Sequence, residues 1–241
     1  MIPINPFNLV PIDVFRDFPI EIDVVYANKD HPNNGFGQIY ALNASLWCNK
    51  DLCKIVLHAA VALNKRYGWK LRVLDCLRTV EAQTRMSGRG IDEALVSAPG
   101  QGAHPRAMAI DIEPIDADGV RVEMGTPFDF FADDLSDNKA ARNYTQFGSY
   151  SNTDLIRLNR AKLETAFSWA GTKAENRAFH IVPLKQEWWD FRFCSDLFER
   201  YAPLSEGDLP EYMKLLSPAA ERNLTNHQDA INEVRSADYS L

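Results

Sequence analysis

The sequence predicts an α+β fold, a single domain with a central, largely antiparallel sheet flanked by helices. Three observations carry this expectation. Stretches with helical periodicity alternate with short apolar stretches of strand character, joined by turns and short links. The 241 residues are 46% hydrophobic, enough to bury about three quarters of the unfolded surface in one body. No internal repeat is visible, which excludes a solenoid or propeller.

The elements follow in order. The first residues, "MIPINPFNLVPIDVF", carry three prolines and read as an extended lead-in. "NKDHPNNGFG" at 28–37 is a turn-rich loop. In "NKDLCKIVLHAAVALNKRYG" at 49–68, Leu52, Ile55, Val56, Ala59, Ala60 and Leu63 fall on one helical face, and Gly68 is the stop. "WKLRVLDCL" at 69–77 predicts a strand, and "RTVEAQTRM" a short helix with Thr79 as N-cap. Residues 88–105, rich in glycine and small side chains, predict a long loop. "AMAIDIEP" at 107–114 predicts a strand, and 132–152 a polar surface excursion. A second long helix is expected over 153–171, with Ile156, Leu163, Phe167 and Ala170 in one stripe and Gly171 as C-cap. "FHIVPL" and "WWDFRF" predict two further strands. Residues 1–204 form the expected domain. Residues 205–241 read as a polar C-terminal extension, helical in patches, packed on the domain or partly disordered.

Composition narrows the function classes. A formal net charge of −7, with acids and bases interspersed, disfavours a nucleic-acid partner, whose phosphates need a basic face. No window approaches eighteen apolar residues, so no membrane insertion is expected. The lead-in lacks the basic start and unbroken apolar run of a secretory signal, which predicts a soluble, cytoplasmic protein. Four cysteines without tight pairs suggest neither a zinc ribbon nor a disulfide framework. A small molecule or peptide is left as the expected ligand.

The chemistry concentrates in two places. "QEWWDF" at 186–191 sets Glu187 and Asp190 around two tryptophans. Taken alone, such a run is more often a buried aromatic strand with acids at its rim than part of a site. His58 and His180 sit in apolar stretches and read as structural, whereas His104 ends the small-residue loop, just before a strand presenting Asp111. An ionised carboxylate among apolar neighbours is costly unless paired or metal-bound. The residues from His104 to Asp111, fully extended, would span roughly 23 Å, so shared ligation requires the chain to turn back between them.

"HPRAMAID" at 104–111 resembles the His-x6-Asp zinc signature of the D-alanyl-D-alanine dipeptidases, the vancomycin-resistance type among peptidoglycan peptidases. Three further stretches agree in order and spacing. "LDCLRT" at 74–79 is similar to the family's Asp-x-x-Arg-Pro segment, "MGTPFD" at 124–129 matches it closely, and "EWWDF" resembles its Glu-Trp-Trp-His motif. The resemblance spans roughly residues 20–200. It implies that His104, Asp111 and Asp190 hold one divalent ion, zinc before manganese or iron, with Glu187 as acid/base and Arg78 steadying the oxyanion. The implied activity is hydrolysis of D-alanyl-D-alanine or a related small peptide. A carboxypeptidase or endopeptidase of the same fold, or a non-catalytic binder, is the alternative.

Four positions depart from the family pattern: Asp190 replaces its third-ligand histidine, Thr79 its proline, Gly102 its serine and Ala107 its glycine. A His/Asp/Asp site around a divalent cation is formally neutral. One extra carboxylate at ~4 Å and an effective dielectric of ~20 is worth ~4 kcal/mol, or ~3 pKa units of bound water. Either Arg78 and further donors compensate, or a harder ion is preferred, or the site binds without catalysis. Glu187 and Asp190, three apart, would face opposite sides of an ideal strand, so Glu187 is expected at a turn leading into it.

Overall fold

The computed structural model describes residues 1–87, 97–173, 180–218 and 220–241. Its frame is a five-stranded sheet built from β2 (Ile20–Ile22), β4 (Lys70–Asp75), β5 (Ala109–Ile115), β6 (Ile181–Pro183) and β7 (Asp190–Phe193). The spatial order is β2-β4-β5-β7-β6, and only the β2–β4 pair is parallel. A two-stranded antiparallel sheet joins β1 (Leu9–Pro11) to β3 (Trp47–Asn49). These strands of three residues fall inside stretches whose sequence reads only as extended or unassigned.

The helices supply the apolar cover. α1 (Lys50–Tyr67) starts where the Asn49 side chain accepts from the Asp51 and Leu52 amides, and ends at Gly68 in the left-handed conformation. α1 packs on α3 (Tyr150–Lys173), and the expected stripe of Ile156, Leu163, Phe167 and Ala170 is buried. α3 begins earlier than its periodicity suggests and runs past Gly171. Gly171 lies inside the helix, where a Cβ would meet Ile181 of β6 at 3.9 Å, an ordinary contact. α2 (Val80–Ser87) follows Thr79, whose hydroxyl accepts from the Ala82 amide at 3.3 Å. Half of the expected 88–105 loop, residues 88–96, lies outside the described residues.

After β7 come α4 (Ser195–Phe198) and α5 (Gln228–Arg235). Within 205–241, Leu209, Met213, Leu215, Ile231 and Val234 are buried with the main core, and α5 packs on α1. The segment also buttresses two loops. The Leu204 amide donates to the Pro105 carbonyl at 2.7 Å, and the Leu204 carbonyl accepts from Val80 at 3.0 Å. The Thr79 hydroxyl donates to Glu206 at 2.9 Å. One strap therefore ties the turn carrying His104 to the loop carrying Arg78. Among the described residues, no helix is long and apolar enough to cross a membrane.

Candidate metal centre

Strand register lines up three aspartates. Asp75 is the partner of Asp111 across β4–β5, and Asp111 is the partner of Asp190 across β5–β7. Directly opposed residues of antiparallel strands project from the same face, so the sheet presents a row of three carboxyls. Asp75 reaches its place through an irregularity between Val73 and Asp75. On β5, Asp111 alternates with Ile110 and Ile112, which are fully buried. All three aspartates are buried.

His104 is brought over this row by a sharp turn, as shared ligation requires. Residues His104–Arg106 form one 3-10 turn, and Ala107 adopts φ 53°. That left-handed conformation is one a glycine would adopt more readily than this alanine does. Arg106 fixes the turn from beneath, donating to the carbonyls of Gly100, Gly102 and Tyr201.

The imidazole is oriented by its neighbours. Nδ1 lies 2.7 Å from the Cys76 carbonyl, which can only accept, so Nδ1 carries a proton. Nε2 then faces Asp190 Oδ2 at 3.2 Å and Asp111 Oδ2 at 3.5 Å. A neutral ring would aim a lone pair at two anionic oxygens. Without a metal, a second proton resolves the conflict. Burial pulls the His104 pKa down, but Asp111 and the hydrogen bond to Asp190 outweigh it and raise it to about 10.

The three acids are not alike. Asp75 accepts from Arg78 Nε and Nη2 at 2.9 and 2.7 Å and from the Tyr40 hydroxyl at 2.8 Å. Asp190 is gripped side-on by Arg192, with Nε 2.6 Å from Oδ1 and Nη2 on Oδ2. Burial opposes ionisation of Asp190, yet Arg192 and His104 together hold its carboxyl well below the usual range. Asp111 has no such partner. Its Oδ1 is buried without a hydrogen bond among the described residues, and Arg78 Nη2 stands 3.6 Å from Oδ2. Burial raises its pKa, with Asp190 and Asp75 adding to the rise against His104.

Glu187 lies in the bend between β6 and β7, at a turn as its offset from Asp190 requires. It is half-buried, and burial, Asp190 and Asp111 push its carboxyl up to about 8. The two tryptophans after it precede β7 rather than belonging to it, and both are buried. Trp188 Nε1 donates to Thr126 at 2.8 Å, and Trp189 packs edge-on against Phe128. The aromatic pair thus anchors the bend while its acids face the site.

A polar cavity of about 130 Å³ opens over the row, lined in part by His104, Asp111, Glu187 and Arg78. Its outer wall comes from Phe36 on one loop and Ser97 and Gly102 on another. Asp129 also lines it, at φ 54°, accepting from the Tyr26 hydroxyl at 2.7 Å, and burial pushes its carboxyl up to about 8. His180 is exposed ahead of β6 and does not line the cavity. His58 is buried in α1 against Tyr239 and Trp169, away from the site.

The structure brings together all five residues singled out from the sequence: His104, Asp111, Asp190, Glu187 and Arg78. Sequence reasoning missed Asp75, Asp129 and Arg192. Arg192 is two residues beyond Asp190 on one strand, hence on the same face, and that spacing could have flagged it.

Among the described residues, two groups offer ligand atoms close enough together to hold a metal ion, Asp75/His104/Asp111 and, with the half-buried Glu187, Asp111/Glu187/Asp190; the expected set of His104, Asp111 and Asp190 is divided between them. The residues fit such an ion: Asp111 has an orphaned oxygen, and His104 Nε2 confronts two carboxylates. Both oxygens of Asp75 are engaged by Arg78 and Tyr40, and both of Asp190 by Arg192, so Asp111 is the carboxylate with an oxygen to spare. No family model matches the chain, and no curated protein matches it.

Proposed function

We propose that this protein is a metal-dependent hydrolase of small peptides, with D-alanyl-D-alanine as the favoured substrate. The observation that carries the reading is the placement of Asp190 Oδ2 and Asp111 Oδ2 at 3.2 and 3.5 Å from His104 Nε2. Zinc ligands at bond lengths of about 2.05 Å in tetrahedral array stand roughly 3.3 Å apart. His104, Asp111 and Asp190 would hold the ion, zinc first and manganese or iron as oxygen-friendly alternatives. When bound, such an ion lowers the pKa of a coordinated water and polarises a carbonyl.

The remaining work falls to the chain's own groups. Glu187, at the cavity wall with a raised pKa, can take a proton from a water and return it to a leaving amine near neutral pH. Arg78, held by Asp75 on one side, keeps a fixed cation beside Asp111, where negative charge on a substrate oxygen would gather. Arg192 offsets the extra carboxylate of Asp190, a charge effect worth ~4 kcal/mol at ~4 Å and a dielectric of ~20. The charge handicap implied by an aspartate at this position is thereby reduced.

The small cavity favours a dipeptide over cross-linked peptidoglycan, which would need an open groove. Free thiols at all four cysteines agree with a reducing, cytoplasmic setting. The four sequence motifs support the same reading, since their residues converge on one cavity. A second reading also has an observation behind it. With His104 protonated, Asp111, Asp190, Arg192, Asp75 and Arg78 form an ion network that needs no metal, as a non-catalytic binder would have. An assay of D-alanyl-D-alanine hydrolysis with Zn²⁺, Mn²⁺, Fe²⁺ and Co²⁺ separates the two. Cleavage with at least one ion supports the enzyme, and none with any ion favours the binder.

A further inference from the structure

We infer that Arg192 forms a carboxylate-binding corner of the cavity and selects small peptides with a free C-terminus. This inference rests on the peptide-hydrolase reading above. A guanidinium carries five N–H donors in a rigid planar fork, enough for two carboxylates at once. Asp190 occupies the edge formed by Nε and Nη2. Nη1 donates to no partner among the described residues.

The neighbouring backbone leaves that second edge open. Gly102, at φ +79°, has no side chain, and a Cβ there would stand 3.8 Å from Arg192 Nη1 and 3.4 Å from Ser97 Oγ. Arg192, Gly102 and Ser97 all line the cavity. A ligand carboxylate seated over Gly102 would meet a guanidinium edge and a hydroxyl together. Asp190 is fully buried and holds the guanidinium at two points, so the donors are fixed before a ligand arrives.

Charge points the same way. Glu187 and Asp129 also line the cavity but offer an anion no positive charge, which Arg192 supplies. The interior of a longer chain would place an uncharged peptide group there and leave Nη1 without a charged partner. Asp190 then acts as a positioning residue for Arg192 in addition to facing His104.

The test measures binding by calorimetry in metal-loaded E187Q protein, where hydrolysis does not obscure the signal. The probes are D-alanyl-D-alanine, its C-terminal amide, D-alanine and acetate. The free acid should bind at least about tenfold more tightly than the amide, as loss of a charge-assisted hydrogen bond requires. Adding R192Q should bring that ratio near one by weakening the free acid rather than by tightening the amide. S97A, which leaves the Asp190–Arg192 pair intact, should lower the ratio by a few-fold. Equal affinity for acid and amide, or a ratio indifferent to R192Q, overturns the inference.

Should R192Q lose metal or fail to fold, the ¹⁵N resonances of the Arg192 guanidinium in the unaltered protein decide. Titration with D-alanine or acetate shifts them if the corner exists and leaves them in place if it does not. If D-alanine engages Arg192 while no ion supports dipeptide cleavage, the corner stands and the hydrolase reading falls. If the dipeptide is cleaved but no carboxylate perturbs Arg192, the reverse holds.

Discussion

The outer and middle members of the acidic row meet different fates. Asp75 and Asp190, at either end, are each held by an arginine at two points. Asp111, between them and equally buried, keeps one oxygen without a hydrogen bond. Asp111 lies 3.6 Å from Arg78 Nη2 and 3.5 Å from His104 Nε2 but has neither cation to itself, whereas each of its neighbours holds a guanidinium at hydrogen-bond distance. The row therefore divides into two arginine-paired acids and one that shares its cations, a division set by Arg192 within β7 and Arg78 in the loop after β4.

The largest expected effect tests that division. Asp190→Asn leaves the buried Arg192 charge unpaired and should destabilise the chelator-treated protein by about 3 kcal/mol. Asp111→Asn should cost clearly less stability yet abolish metal uptake. Urea denaturation paired with elemental analysis checks both, and equal destabilisation by the two changes would erase the distinction. Next in size, Glu187→Gln should keep the metal and lower dipeptide turnover by at least ~100-fold, the usual contribution of a positioned acid/base group. A variant with near-normal turnover would remove Glu187 from the chemistry.

A third effect concerns pH in the absence of metal. His104 has a folded pKa near 10, raised from 6.5, so its contribution is fully present below pH 6.5 and lost as pH rises through about 10. Glu187 and Asp129, raised to about 8 in the fold, add the same sign at lower pH. Stability with chelator should therefore fall from pH 6.5 to 9.5, and a divalent ion should restore it most at the alkaline end. Denaturation midpoints with and without Zn²⁺ at the two pH values measure this, and a flat chelated profile would contradict it. The smallest effect is at Ala107. Ala107→Gly relieves a left-handed alanine and should stabilise by about 0.5 kcal/mol, after the greater chain entropy of glycine is subtracted.

Much of the scaffold was legible because its signals are local. α1 announces itself by an eighteen-residue amphipathic run between Asn49 and Gly68, and β5 by "AMAIDIEP". Strands β1, β2 and β3, of three residues each, are too short for a period to show. At Gly171 a local rule misleads, since the helix continues through the glycine to Lys173. In the site, the turn between His104 and Asp111 and the bend at Glu187 follow from reach and strand parity. The alignment of Asp75 with Asp111 and Asp190 depends on strand pairing, which spacing along the chain does not encode. The pairing of Asp75 and Asp190, but not Asp111, with an arginine of its own depends on Arg78 in the loop after β4 and on Arg192 within β7. Of these, only Arg78 lies in a motif that drew attention.

The claim at the centre is that Asp111 and His104 hold a cation. Elemental analysis of protein purified without chelator, wild type beside Asp111→Asn, tests it most directly. The wild type should carry about one divalent ion per chain and the variant almost none. A wild type that arrives metal-free and then takes up neither Zn²⁺, Mn²⁺ nor Co²⁺ would contradict the account and leave the protonated His104 network as the finished state of the site.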